Sequence, residues 1–253
     1  MPQGKKFGAF AGVFTPSILT ILGVIMYMRL GWVVGEAGLI AALAIITIAH
    51  IISITTGLSI SSIATDKKIK AGGIYYMLSR SLGLPMGGAI GIALFVGTAL
   101  SISLYLVGFA ESFLSIEPIR NFLGLNQDIN GYRIVGTCAI VLLVIVAFIS
   151  TSLAVKAQYY ILAAIALSLV SIFVGFFTNT GFAPESTLIS PAGNGVPLEL
   201  IFAIFFPAVT GFTAGVAMSG DLKNPKKAIP FGTLTAVAVG FIVYVVLAIG
   251  LAW

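Results

Sequence analysis

Apolar residues in this chain do not alternate with polar ones but run in long blocks, near 10–34, 38–63, 86–114, 132–151, 157–177, 199–219 and 230–252. A bilayer core about 30 Å thick takes about 20 consecutive apolar residues per helix, and each block is long enough. The pattern therefore predicts an all-α integral membrane fold of seven spans. Between the second and third blocks, Tyr75 to Leu82 reads as a short amphipathic segment lying at the interface. The opening Met-Pro-Gln-Gly-Lys-Lys looks like the start of a signal peptide, but the apolar run behind it is too long and lacks a small-residue cleavage site. It is read as a retained first helix.

Composition sharpens this. Of 253 residues 59% are hydrophobic and 8% charged, against about a quarter charged in soluble domains. That excludes a soluble enzyme, a disordered chain and a reader of nucleic acid. The net charge of +5 reports orientation instead. With the N-terminus cytoplasmic, the inside segments hold Lys5, Lys6, Lys67, Lys68, Lys70, Arg80, Lys156, Lys223, Lys226 and Lys227, while Arg29, Arg120 and Arg133 fall outward. Glu36, Glu111, Glu117, Asp128, Glu185 and Glu199 also lie outward, leaving Asp66 and Asp221 inside. The lone Cys138 cannot form an internal disulfide and reads as a small buried apolar residue. His50 reads as packing or a helix–helix hydrogen bond. There is no catalytic triad, nucleotide motif or metal-ligand spacing, so the chain is expected not to be an enzyme and to need no cofactor.

Two blocks carry unusual punctuation. The first reads Phe14-Thr-Pro-Ser-Ile-Leu-Thr-Ile-Leu-Gly, with Pro16 and Gly23 inside it; the sixth reads Phe205-Phe-Pro-Ala-Val-Thr-Gly, with Pro207, Gly211 and Gly215. Proline removes a backbone donor and glycine loosens the helix, so each set predicts an unwound stretch. Unwound backbone at membrane depth persists only where water, protein or an ion satisfies it. Freed carbonyls suit cations, and the amides opening the following half-helix suit anions. A single proline kink is the plainer reading of either break. Two breaks five helices apart fit a five-plus-five inverted repeat around a transport site. Gly87/Gly91 and Gly211/Gly215 have the spacing of close helix packing.

The stretches MRLGWVVGEAG (28–38), TGLSISSIATD (56–66), YYMLSRSLG (75–83), GGAIG (87–91) and YLVGFAES (105–112) resemble the cation-chloride cotransporter family, within the amino acid-polyamine-organocation superfamily. So do KAQ (156–158), FAIFFPAVTG (202–211) and SGDLKNPKKAIPFGTL (219–234). The resemblance implies the leucine-transporter-type fold, with this chain matching helices one to seven of twelve and expected to be an incomplete transporter domain that does not transport alone.

It also implies a set of sites. Potassium would be held by the carbonyls of Thr20 and Ile21, the Tyr105 hydroxyl, the Pro207 carbonyl and Thr210. One chloride would rest on the amides of Gly23, Val24 and Ile25, the other on those of Gly211, Phe212 and Thr213. Sodium, where the family uses it, would take carbonyls at Leu19 and Leu22 together with helix-eight hydroxyls, so its coupling stays open. Position 20 is Thr where animal members carry Asn, and position 22 is Leu where many carry Trp. Arg29 and Glu111 match an extracellular gate; the plainer reading is a static salt bridge, since an Arg in a span calls for a partner.

The function implied is symport of chloride with potassium by alternating access, with inorganic ions and the lipid bilayer as partners and a homodimer as the family's common assembly. The short N-terminus points to a prokaryotic plasma membrane. An amino acid permease of the same superfamily is the rival, although Leu22-Gly23-Val24 carries one glycine where such permeases place two. A passive channel or a non-transporting scaffold is the alternative of another class.

Overall fold

The computed structural model describes residues 6–66, 71–149, 151–178 and 195–252. Lys5, Lys67, Lys68, Lys70 and Glu185, used above for orientation, lie outside the described residues. The described residues form helices α1 (Thr15–Ile21), α2 (Val24–Ala37), α3 (Leu39–Asp66), α4 (Gly73–Leu82), α5 (Leu84–Ser115), α6 (Glu117–Leu123), α7 (Ile129–Ile149), α8 (Thr151–Thr178), α9 (Leu198–Phe205), α10 (Thr213–Ala217) and α11 (Pro225–Ala252). A π-helical turn, Phe10–Phe14, leads into α1. Among the described residues six helical stretches are long and apolar enough to cross a membrane: Phe10–Ala37, Leu39–Asp66, Leu84–Ser115, Ile129–Val146, Lys156–Thr178 and Pro225–Ala252. The sixth block expected from sequence, 199–219, is instead divided among α9, a 3₁₀ segment Phe206–Val209 and α10.

Two boundaries move. Helix α11 begins at Pro225, so Pro230 lies within it rather than opening it. Helix α8 begins at Thr151, which makes Lys156 a helical residue rather than part of a loop. The segment Ser152-Leu-Ala-Val-Lys has neither Gly nor Pro to stop a helix. The interfacial segment is α4, whose ten residues span about 15 Å at 1.5 Å per residue, too short to cross. Glycines with positive φ bound it, Gly72 (122°) and Gly73 (55°) at its start and Gly83 (88°) after its end.

The chain divides into two compact units, residues 1–87 with 160–253, and residues 88–159. In the first, α11 packs along α3 and against α1, the π-helical turn and α2. Small residues make the contact close: a Cβ at Gly232 would stand 2.5 Å from Val13 Cβ and 3.0 Å from Phe14 N. Phe7 pairs with the turn after α10, donating N–H to the Asp221 carbonyl (2.8 Å) and accepting from Lys223 N–H (2.9 Å). Lys226 Nζ reaches the Asp66 carbonyl (3.3 Å), so Lys6, Lys223 and Lys226 gather at one end of this unit.

The second unit holds most of α5, then α6, α7 and the start of α8. Its small core is Ala110, Leu114 and Val135, with Phe113, Leu125 and Tyr132 around it. Asp128 caps α7, its Oδ1 accepting from Gly131 N–H at 2.7 Å. Cys138 is exposed on α7, a correction to the buried reading: the small cluster takes only Tyr132 and Val135 from this helix and stops one turn short of Cys138.

Candidate functional site

The first break follows from Gly23. Helix α1 ends at Ile21; Leu22 leaves the helical region (φ −89°, ψ 32°) and Gly23 is extended (φ −90°, ψ −153°) before α2 resumes at Val24. A Cβ at Gly23 would stand 3.1 Å from the Thr20 carbonyl oxygen and 3.2 Å from that of Leu19, so a larger residue here would have to push those oxygens back by a few tenths of an ångström. The first hydrogen bond of the resumed helix runs from Met26 N–H to the Gly23 carbonyl (3.1 Å). The amides of Gly23, Val24 and Ile25 precede it and form the N-terminal end of α2, where the helix dipole favours an anion.

The second break has a different form. Pro207 supplies no donor, and its carbonyl accepts from both the Thr210 hydroxyl (2.9 Å) and the Thr210 amide (3.4 Å). The chain tightens to 3₁₀ over Phe206–Val209, and α10 then begins at Thr213 with its first bond from Ala214 N–H to the Gly211 carbonyl (3.1 Å). Helix α10 is only five residues long, a shorter half-helix than the sequence suggests.

The breaks abut. Thr20 Oγ1 lies 2.6 Å from the Gly211 carbonyl oxygen, 2.8 Å from that of Ser17 and 3.1 Å from that of Pro16. A hydroxyl has one proton to give, and the shortest of these contacts is the one that joins the two breaks. Gly211 is what allows the approach, since a Cβ there would lie 2.5 Å from both Thr20 Cβ and Oγ1. One turn on, a Cβ at Gly215 would strike the Val13 carbonyl oxygen and Ser17 Oγ, so the Gly211/Gly215 spacing is a packing seam as well.

Three more hydroxyls satisfy carbonyls at the breaks. Ser17 donates to the Phe212 carbonyl (2.8 Å), Ser53 of α3 to that of Val209 (2.9 Å), and Tyr244 of α11 to that of Ile21 (2.8 Å). These partners are 156 to 223 residues apart in sequence. Ser17, Ser53 and Tyr244 are buried and absent from the sequence-based set; nothing along the chain marks which carbonyl a serine or tyrosine will meet.

Thr20, Ile21, Leu19, Leu22, Gly23, Val24, Ile25, Pro207, Thr210, Gly211, Phe212 and Thr213 thus belong to the first unit, at the two breaks. Arg29 is in the same unit, on the exposed side of α2. Tyr105 and Glu111 lie on α5 in the second unit, both half-buried. None of the predicted site residues lines the open groove of about 440 Å³ between α5 and α7, which Ser103, Leu106, Tyr132 and Arg133 help to form. His50 is 1% exposed, with Nδ1 2.9 Å from the Ile46 carbonyl and its ring 5.1 Å from Phe241, which fits the packing reading.

Chemically, the breaks present uncharged oxygens and helix-opening amides. No carboxylate belongs to either break, and among the described residues no group of three or more His, Cys, Asp or Glu could hold a metal ion. Such a donor set suits a large monovalent cation and fits a divalent one poorly.

A family model described as amino acid permease matches residues 12–252, nearly the whole chain. The chain belongs to that family. Within it, this chain is 36% identical over 256 residues to mouse (Mus musculus) solute carrier family 12 member 2, covering 96% of this chain and 21% of the relative. It is 38% identical over 251 residues to the Squalus acanthias member 2, covering 94% and 21%. It is 37% identical over 260 residues to a Manduca sexta protein named bumetanide-sensitive sodium-(potassium)-chloride cotransporter, covering 95% and 24%. The resemblance to cation-chloride cotransporters is borne out by these relatives. The chain is an integral membrane protein and spans about a fifth of the length of the curated relatives it matches.

Proposed function

We propose that this chain carries the ion-binding breaks of a secondary symporter that moves chloride together with potassium by alternating access. The observation that carries the reading is the junction of the breaks: two interrupted helices meet through the Thr20–Gly211 contact of 2.6 Å, with carbonyls ending one half-helix and amides opening the next. A cation and an anion can then be held on backbone groups a few residues apart, neutralising one another, with no charged side chain required. The relative from Manduca sexta is named for sodium, potassium and chloride, which agrees in chemical class.

In this reading potassium takes the Thr20 and Ile21 carbonyls, the Tyr105 hydroxyl, the Pro207 carbonyl and Thr210. Chloride takes the amides of Gly23, Val24 and Ile25 and those of Gly211, Phe212 and Thr213. Leu19 and Leu22 are the chain's contribution to a sodium site that needs further hydroxyls. Arg29 and Glu111 close the outer side as a gate. The chain forms part of one transmembrane transporter domain with the inverted-repeat plan, its N-terminus cytoplasmic, in a prokaryotic plasma membrane and as a homodimer. The basic cluster of Lys6, Lys223 and Lys226 at one end of the first unit supports that orientation.

Amino acid permease is the second reading, favoured by the name of the family to which the chain belongs. Against it, the single glycine between Leu22 and Val24 leaves side chains on both flanks of the first break, where a substrate carboxylate would need open backbone. The full-length protein in vesicles decides the cation site: uptake of radioactive rubidium, a potassium stand-in, should be lost in Tyr105→Ala while the purified variant remains folded. Rubidium uptake unchanged in that variant would remove Tyr105 from the site.

A further inference from the structure

We infer that Tyr244 is a positioning residue of the cation site, holding the Ile21 carbonyl from behind while His50 and Phe205 hold its ring; this rests on the reading of the breaks given above. Ile21 is the last residue of α1, and the turn at Leu22 and Gly23 takes its carbonyl out of the helical hydrogen-bond ladder. An oxygen released this way in an apolar setting is costly unless a donor meets it. The donor is the Tyr244 hydroxyl at 2.8 Å, from the middle of α11, 223 residues away in sequence. A carbonyl oxygen has two lone pairs, so one donor fixes its direction and leaves the other pair for a cation.

Tyr244 is itself held on several sides. It is fully buried, its ring meets Phe205 edge-on at 5.3 Å (86°) and His50 at 5.7 Å (60°). Phe205 is the last residue of α9, immediately before the second break, so the phenol touches elements of both. The His50 ring is fixed in turn: a carbonyl only accepts, so Nδ1 carries the proton given to Ile46, while Nε2 has no hydrogen-bond partner among the described residues. Beside it, a Cβ at Gly240 would stand 2.6 Å from Ile21 Cγ2, so α11 presses its bare backbone against Ile21 about one turn before Tyr244. Nothing in the motif resemblance assigns α11 a part in the site.

A structural role and a positioning role separate in Tyr244→Phe, which keeps both ring contacts and deletes one hydroxyl. In vesicles of the full-length protein, half-saturation for rubidium should rise on the order of tenfold, equivalent to about 1.4 kcal/mol, with half-saturation for chloride and the maximal rate changing less than about twofold. Discrimination between rubidium and lithium should fall in the same variant, because a loosened carbonyl adapts to the smaller ion. Unchanged rubidium half-saturation, or an equal rise for rubidium and chloride, would overturn the assignment and leave Tyr244 a packing residue.

Thermal unfolding of detergent-solubilised wild type and Tyr244→Phe, titrated with rubidium, supplies a readout that needs no transport. Should wild-type uptake prove independent of chloride, the symport reading falls, yet a rubidium titration displaced in Tyr244→Phe would still uphold the positioning role. Coincident titrations, or none in either protein, would sink it.

Discussion

Gly211→Ala is expected to cut transport sharply, because it strikes the contact between the two breaks. The added methyl would stand 2.5 Å from Thr20 Cβ and Oγ1 and 3.0 Å from the Thr20 carbonyl carbon, so rotation of one side chain cannot relieve it. Thr20 has little room to withdraw, because Ser17 one turn earlier is tied to the Phe212 carbonyl at 2.8 Å. Overpacking of this kind costs about 1–3 kcal/mol, and here the strain falls on the contact that joins the two breaks. Transport should drop by roughly tenfold to a hundredfold, at 1.4 kcal/mol per factor of ten, with a lowered unfolding temperature. Gly31→Ala is the matched control, since nothing lies within 4 Å of a Cβ there. It should transport at the wild-type rate, and equal loss in both variants would contradict the packing account.

Thr20→Val isolates the hydrogen bond from the packing. Valine keeps the branched shape but cannot donate to the Gly211 carbonyl, whose 2.6 Å partner is lost. An oxygen left without that donor costs about 1–3 kcal/mol. Because the bond links the breaks, half-saturation for the cation and for chloride should rise together, each by roughly tenfold, whereas Tyr244→Phe should move the cation alone. Thr20→Ser restores the donor and should recover most of the loss. Failure of serine to rescue, with valine impaired, would assign the effect to side-chain shape.

Much of the architecture was legible along the chain because lipid leaves few options: long apolar blocks become helices, and Gly23 and the Pro207–Gly211 run mark where two of them open. Gly23, Pro207 and Gly211 lie at the two breaks, whereas Pro16 sits in the first turn of α1 and interrupts nothing; the amphipathic run at Tyr75–Leu82 became α4. The form of the second break was not legible, since 3₁₀ tightening over Phe206–Val209 depends on Thr210 folding back onto the Pro207 carbonyl. Nor were the donors Ser17, Ser53 and Tyr244, whose partners are set by tertiary approach across as many as 223 residues. Lys156 and Cys138 misled for simpler reasons. A charge at the edge of an apolar block looks like a loop but is tolerated at a helix position near the interface. A cysteine in a span is apolar enough for either face.

The claim at the centre of this account is that cation and chloride share one pair of breaks. Rubidium uptake by vesicles of the full-length protein, with external chloride present or replaced by gluconate, tests it most directly. Symport requires uptake that saturates with chloride and collapses in gluconate. Uptake that proceeds equally in gluconate, or no rubidium uptake beside saturable amino acid uptake, would contradict the account and make the chain's breaks those of an amino acid permease.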